Sequence, residues 1–214
     1  MLRIILCLLV VVCSSNRIIQ KTDELPGITE IREYKLETVD TLVDIGCQDG
    51  LFSREIARFY PNVFLVLEDL EFFTLCNKSG KKCTDYFTQT EIKKTFRDSR
   101  KYQNIENRYR FIAGRIDSIP LATSSYKRVL CRRTVHEFEK TKKMVSELKR
   151  ILKTDGILTI VEPEPNYKNH IDEFCNKKYL TKNEVLEIFK DFKLLTFRSI
   201  PYGSDRMNMF NFSK

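Results

Sequence analysis

Two short motifs in this sequence place polar residues at a spacing that suits a nucleotide-like ligand. The first, at residues 43–50, reads VDIGCQDG and directly follows a short apolar run. Because glycine lacks a Cβ atom, such a turn can tighten and bring backbone amides against a bulky ligand. The candidate ligand-binding residues of this motif are Asp44, Gly46, Cys47 and Gly50.

The second motif is an acidic pair, Glu68 and Asp69, at the end of the next apolar run. The pair lies about twenty residues after the glycine turn, a spacing at which a carboxylate can accept hydrogen bonds from ribose hydroxyls. Both are candidate binding residues. We favour Asp69 for the ribose because Leu70 follows it, whereas the other acid could cap the following helix.

A third polar group follows the apolar run at 128–131. His136 and Glu137 lie just beyond it, where either side chain could accept a proton from a hydroxyl or amine. We take His136 as the candidate catalytic residue at the rim of the site, although a histidine that only hydrogen-bonds its own loop remains equally open. None of the seven cysteines forms a CxxC pair, and no metal-ligand cluster is apparent.

The elements that must position these residues alternate between strand and helix. Apolar runs predict strands at 41–45, 63–67, 110–113, 128–131, 157–161, 194–199 and 207–212. Apolar spacing predicts helices after Gly50, around 144–152 up to a glycine turn with positive φ at Gly156, and after a capping box of Thr181 and Glu184. Residues 28–34 are expected to be helical, and 70–108 to contain a helix and a surface insertion, in which Cys76 and Cys83 are close enough to bridge.

This alternation indicates an α/β protein with a mostly parallel sheet and helices on both faces. Such sheets bind ligands beyond the carboxyl ends of their strands, where the three polar groups fall. A dinucleotide-binding dehydrogenase is disfavoured, because its GxGxxG motif needs a glycine at the position of Gln48.

Taken together, four segments resemble the class I (Rossmann-like) S-adenosylmethionine-dependent methyltransferases, with a type 11/25-like domain. The segments are VDIGCQDG, VLEDLE, AGRIDSIPLATSSYKRVLCRRTVHEF and ELKRILKTDGILTIVEP, and the resemblance extends over about residues 41–212. It implies a doubly wound, seven-stranded sheet with the last strand antiparallel, and S-adenosylmethionine as the cofactor. It also implies that Arg115 and Ile116 flank the adenine and that Arg132 and Thr134 lie near the reacting methyl group.

Three positions depart from the pattern of that family. Gln48 replaces the middle glycine of the loop, Arg115 stands where an acidic residue is common, and Lys127 replaces an aspartate. Arginine carries only donors, so it cannot accept a hydrogen bond from the adenine amine. Two hypotheses follow: an enzyme that methylates a small-molecule or lipid-like acceptor, or a catalytically inactive, membrane-tethered binding or structural protein with the same fold.

The amino terminus predicts export. Residues 1–16 combine Arg3, an apolar stretch at 4–12 and a small polar end, as in a signal peptide, while Cys13 sits in a lipobox-like context. We therefore expect a signal at 1–16, a leader at 17–38 and one domain at 39–214, with a periplasmic or lipoprotein location and a possible membrane surface contact through lipidated Cys13. Cytoplasmic location is the alternative. The net charge of +8 is spread along the chain, so no nucleic-acid partner is expected.

Overall fold

The computed structural model describes residues 27–36, 41–70, 74–76, 82–86, 108–115 and 117–214. Its α-helices are α1 (Ile28–Glu33), α2 (Leu51–Phe59), α3 (Thr141–Ile151) and α4 (Lys182–Ile188), with a short 3-10 helix at Val135–Glu137. Its strands are β1 (Thr41–Ile45), β2 (Phe64–Leu70), β3 (Thr74–Cys76), β4 (Lys82–Tyr86), β5 (Tyr109–Gly114), β6 (Tyr126–Arg132), β7 (Leu152–Pro163), β8 (Lys193–Tyr202) and β9 (Asp205–Ser213).

Seven of these strands form one twisted sheet in the order β5-β2-β1-β6-β7-β9-β8. Neighbouring strands from β5 to β7 pair in parallel, whereas β9 pairs antiparallel with both β7 and β8. The prediction of a mostly parallel, seven-stranded sheet with an antiparallel last strand is therefore confirmed. Because β1 lies at the point where the strand order reverses, its carboxyl end borders the crevice in which such sheets bind ligands.

Alternating side chains along the central strands supply two separate apolar layers. On β2, Leu65 and Leu67 face the layer that contains α1 and α2, while Val66 faces the layer that contains α3 and α4. Each strand residue thus contributes to the layer opposite its neighbour, as the twofold repeat of a strand requires. Ile31 of α1 belongs to the first layer, so the described part of the predicted leader packs with the domain.

Helix α3 ends earlier than its apolar spacing predicted. It stops at Ile151, and Leu152 pairs with Tyr126 while Ile157 pairs with Arg128, so residues 153–156 form an irregular bulge at the start of β7. The prediction of a positive φ at Gly156 is wrong. Instead the fully buried Leu152 folds back over it, and a Cβ atom there would lie 2.8 Å from Leu152 Cδ1.

Part of the region 70–108, which was expected to contain a helix and a surface insertion, consists of strands. Strands β3 and β4 form a separate two-stranded antiparallel sheet there. The rest of that helix prediction, the side chains of Cys76 and Cys83, the signal at 1–16 and Cys13 lie outside the described residues, so those predictions stay predictions. Over the described part of the chain, no helix has both the length and the apolar character needed to cross a membrane.

Candidate functional site

The glycine turn after β1 has a left-handed backbone conformation that residues with a Cβ atom rarely adopt. Gly46 and Gly50 both have φ +73°, and Gln48 between them has φ +51°. A Cβ atom on Gly46 would lie 2.3 Å from Thr134 Cγ2, so this position also lacks room for any side chain. The amides of Gly46 and Cys47 donate to the carbonyl of Glu68 at 2.8 and 3.1 Å, which fixes the turn against the end of β2.

The acidic pair at the end of β2 divides between two roles. Asp69 Oδ2 accepts a hydrogen bond of 2.6 Å from the Gln48 amide, which holds that carboxylate beside the glycine turn. Glu68 instead lies over Gly114, where a Cβ atom would come within 1.5 Å of its Oε1. Burial, together with the charge of Asp69, raises the pKa of Glu68 to about 8. The folded chain therefore favours the neutral form of Glu68.

Asp44 is a buried carboxyl group at the floor of the turn. It accepts a hydrogen bond from the hydroxyl of Ser53, which lies in α2 and is itself fully buried. Burial raises the pKa of Asp44 to about 7, although the Ser53 hydrogen bond and the positive charge of Arg132 oppose that rise. A cation bound near this carboxyl group would favour its ionised form.

A cavity of about 550 Å³ opens beside the turn. Among the residues predicted from the sequence, Asp44, Gly46, Cys47 and Arg132 line it, as does Gln48. Further lining residues come from the turn, from α2, from the loop after β6, from the segment after β7 and from the end of β8: Asp49, Leu51, Phe52, Arg54, Glu55, Arg133, Glu137, Asp172, Phe174 and Tyr202. The cavity thus has acidic, basic and aromatic walls.

The other predicted binding residues lie around this cavity rather than in its wall. Gly50 caps α2, Thr134 packs against Gly46, and Glu68 and Asp69 lie at the end of β2. The side chain of Arg115 is 80% exposed and lies 4.0 Å from Asp117. Arg115, predicted to flank the adenine, therefore projects into solvent and does not line the cavity. Ile116 lies outside the described residues.

Arg132 is bound into a network that the sequence did not reveal. Its guanidinium makes a bidentate ion pair with Glu30 of α1, at 2.8 and 3.1 Å, and stacks 3.7 Å above the ring of Phe52. Glu30 also accepts a hydrogen bond from Tyr34, and its side chain is fully buried. Helix α1 thereby neutralises the charge of Arg132 at the wall of the cavity.

His136 lies in the interior and not at the rim where the sequence placed it. Its side chain is fully buried, and Nδ1 lies 2.6 Å from Oε2 of Glu162 at the end of β7. Oε1 of Glu162 also accepts hydrogen bonds from the backbone amides of Thr134 and Val135. One carboxylate therefore positions the loop that follows β6. Burial lowers the pKa of His136, but the proximity of the Cys175 thiol and the Glu162 carboxylate outweighs burial and raises it to about 10.

Glu137, the neighbour of His136, lines the cavity, and burial raises the pKa of its carboxyl group to about 7. Asp172 also reaches the cavity from the segment after β7. It accepts hydrogen bonds from Tyr179 at 2.8 Å and from Arg133 at 3.2 Å. No spacing in the sequence connects Arg133 with Asp172, so only the folded chain reveals this group.

We expect the substitution Gln48→Gly to stabilise the protein. A left-handed conformation costs a residue with a Cβ atom about 1–2 kcal/mol, while glycine adds roughly 0.4–1 kcal/mol of unfolded-state entropy, so the net gain is about 0.5–1 kcal/mol. Urea unfolding of the two proteins measures this gain in the free energy of unfolding. Asn169→Gly is the matched control, since Asn169 has φ +62° but asparagine tolerates this region, and that change should gain nothing. An equal gain at both positions would contradict the expected strain at Gln48.

Comparisons with known proteins indicate a methyltransferase domain. The family model described as a methyltransferase domain matches residues 71–160, from just after the acidic pair to most of β7. The malonyl-[acyl-carrier protein] O-methyltransferase of Legionella pneumophila is 23% identical over 163 residues, which covers 70% of this chain and 50% of that protein. The chain thus spans half the length of this curated relative.

Solved structures share the fold over most of the chain. A S-adenosylmethionine-dependent methyltransferase from Methanosarcina mazei superposes with a TM-score of 0.62 and 17% identity, covering 86% of this chain and 96% of that one. The [4+2]-cyclase SpnF superposes with a TM-score of 0.64 and 14% identity, covering 87% and 79%. The fold is that of the solved S-adenosylmethionine-dependent methyltransferases, and the family model that matches part of the chain describes a methyltransferase domain. The cyclase shows that this fold also carries other reactions, so the activity has to be argued from the site.

Proposed function

We propose that this protein is a S-adenosylmethionine-dependent methyltransferase that acts on a small-molecule or lipid-like acceptor. The observation that carries the proposal is the cavity of about 550 Å³ that opens directly against the glycine turn at the carboxyl end of β1. Its volume falls within the range of about 300–1,000 Å³ that is usual for small-molecule sites. The cavity also combines a buried carboxyl group with aromatic walls.

The residues of the turn fit the cofactor. S-Adenosylmethionine would supply a methyl group on a cationic sulfonium, with transfer as an in-line displacement. Gly46 and Gly50 leave the backbone accessible, and Asp69 is held beside the turn by the Gln48 amide. Asp44 would attract the positively charged end of the cofactor, while Glu30 neutralises the cation of Arg132 that would otherwise repel it. Positioning of donor and acceptor would supply most of the acceleration.

The adenine side fits less closely. Arg115 stands at the position where an acidic residue is common in the family, and its exposed side chain has only donors. A carboxyl group does lie at this end of the sheet, because Glu68 covers Gly114 on the adjacent strand. We therefore expect cofactor binding to be weakened, but not abolished, by Arg115. The acceptor would enter along Phe52, Phe174 and Tyr202, and Glu137 rather than His136 would face it.

Calorimetric titration of the full chain with S-adenosylmethionine and with S-adenosylhomocysteine tests the proposal. We expect saturable binding of both compounds at a single site. The substitution Arg115→Asp should tighten binding, because an acceptor would replace a donor beside the adenine. A protein that is folded by circular dichroism and yet shows neither heat nor thermal stabilisation at millimolar ligand would contradict the proposed activity.

Cofactor affinity should increase as the pH rises through about 7. Asp44 has a raised pKa, so its attractive charge is present above about pH 7 and is lost as the pH falls. Between pH 6 and pH 8 its ionised fraction rises from roughly a tenth to nine tenths, so we expect the dissociation constant to fall by up to about tenfold. In Asp44→Asn the affinity should be low and this part of the pH dependence absent. If the dissociation constant of Asp44→Asn still depended steeply on pH, the dependence would belong to another titrating group.

A further inference from the structure

We propose that His136, Asp172 and Cys175 form a binding site for a zinc ion beside the cavity. Each residue offers one ligand atom, and the three atoms lie within 4.8 Å of one another. Imidazole, carboxylate and thiolate are the three ligand types that zinc takes in proteins. The site does not depend on the proposed methyl transfer, since a metal ion could bind here whatever reaction the cavity supports.

The orientation of His136 supports a ligand role. Its Nε2 atom is buried without a hydrogen-bond partner among the described residues, which is costly for a polar atom unless another group binds it. Its Nδ1 atom lies 2.6 Å from the Glu162 carboxylate, and the imidazole side chain is fully buried. A carboxylate on the far ring nitrogen is the usual arrangement of a metal-binding histidine, because it fixes the tautomer that leaves Nε2 as the ligand.

The other two ligands come from one tight turn. Asn176 donates its amide to the carbonyl of Asp172 at 2.9 Å, and residues 171 and 178 pair as an antiparallel bridge. Asp172 Oδ2 lies 3.8 Å from Nε2 of His136. Zn–N and Zn–O bonds of about 2.0–2.2 Å place a tetrahedral nitrogen and oxygen roughly 3.3–3.5 Å apart, so this pair would have to close by about 0.3–0.5 Å.

Neighbouring groups complete the arrangement. Oδ2 of Asp172, the oxygen that lies 3.8 Å from His136 Nε2, accepts hydrogen bonds of 2.8 Å from Tyr179 and 3.2 Å from Arg133, while the Phe174 amide donates to Oδ1 at 2.7 Å. These bonds hold the carboxylate in place, and zinc would displace the longer one from Arg133. Oε1 of Glu137 lies 3.8 Å from the same His136 nitrogen, and both Glu137 and Asp172 line the cavity. The fourth position of the ion would therefore fall to Glu137 or to a water molecule from the cavity.

The competing arrangement is a protonated His136 that forms ion pairs with Glu162 and Asp172 and binds no metal. Nitrogen NMR separates the two, because the chain contains only two histidines, His136 and His170. With zinc bound, Nε2 of His136 carries no proton, and its nitrogen resonance shifts. His170 is a matched control, since its ring also contacts Tyr179, at a centroid distance of 5.0 Å, but lies outside the cluster.

The test uses the full chain after chelator treatment. We expect one zinc ion per chain in competition with a chromophoric chelator, and a thiolate-to-metal charge-transfer band when cobalt replaces zinc. Cys175→Ser should abolish that band, and Cys175→Ser and Asp172→Asn should each weaken zinc binding at least tenfold, whereas His170→Gln and Cys47→Ser should not change it. Cys175 is only partly buried, so its serine variant should fold even if substitutions of His136 do not.

Three results would overturn the proposal. One is zinc affinity weaker than about 1 μM, which falls far short of a structural or catalytic zinc site. Another is tight binding that Cys175→Ser leaves unchanged, which would place the ion on other cysteines. The third is a His136 spectrum with both ring nitrogens protonated and unaffected by zinc, which would establish the ion-pair arrangement.

Discussion

Replacing Gly46 by alanine should lower the free energy of unfolding by about 1–4.5 kcal/mol, after the gain of roughly 0.4–1 kcal/mol in unfolded-state entropy. The positive φ of +73° costs a residue with a Cβ atom about 1–2 kcal/mol, and the forced contact with Thr134 adds roughly 1–3 kcal/mol of overpacking. Relief would require Thr134 to move, and its hydroxyl is hydrogen-bonded to the carbonyl of Arg132 at 2.9 Å. Displacing Thr134 would also disturb the loop that carries His136, so the cavity should be altered even where the protein still folds.

Gly203→Ala is the matched control for this substitution. Gly203 lies in the turn between β8 and β9 with φ +63°, and a Cβ atom there would meet nothing within 4 Å. It therefore isolates the backbone cost, and we expect a loss of only about 1 kcal/mol after the gain in unfolded-state entropy. Urea unfolding of both variants measures the difference. Equal losses would show that the contact with Thr134 relaxes without cost.

Replacing Glu30 by alanine should destabilise the protein by about 3–5 kcal/mol, because it leaves the Arg132 cation buried without its partner. The side chain of Arg132 is 11% exposed and that of Glu30 is fully buried. The loss would be a large fraction of the 5–15 kcal/mol that is typical of a folded domain. It should be accompanied by weaker cofactor binding, because the unneutralised guanidinium would then lie in the wall of the cavity.

A second ion pair of the same helix provides the comparison. Glu33 pairs with Arg198 at 3.2 Å, but these side chains are 26% and 54% exposed. Glu33→Ala should therefore cost no more than about 1 kcal/mol. The double variant Glu30→Leu/Arg132→Met should recover much of the stability lost in Glu30→Ala, since it leaves no charge buried. If urea unfolding gave equally small losses of stability for Glu30→Ala and Glu33→Ala, the buried ion pair between Glu30 and Arg132 would not be what holds α1 in place.

The proposed function and the zinc site can fail independently. A chain that binds zinc but not S-adenosylmethionine would retain the cluster of His136, Asp172 and Cys175 and lose only the interpretation of the glycine turn. A chain that binds the cofactor but not zinc would leave His136 as a positioning residue for the loop through Glu162. Measuring both ligands on the same preparation distinguishes these cases.

The sequence alone determined the fold and the location of the glycine turn. Alternating strand and helix patterns are local properties of the chain, and the apolar runs 41–45 and 207–212 fall within β1 and β9. The capping box of Thr181 and Glu184 depends only on residues three positions apart, and the structure confirms it at the start of α4. Where these local patterns conflicted with packing, as with buried Leu152 at the end of α3, the boundary was misplaced.

Only the tertiary structure decided which side chains meet at the site. Glu30 and Arg132 are 102 positions apart, and His136 and Glu162 are 26 apart, so no sequence period connects either pair. The same holds for Asp172 and Cys175, which the chain brings to His136 by closing a turn over the end of the sheet. Local propensity acts over one helical turn or one strand, whereas burial selects partners across the whole core. The sequence therefore specified the crevice, and the packing of distant segments specified the chemistry that it contains.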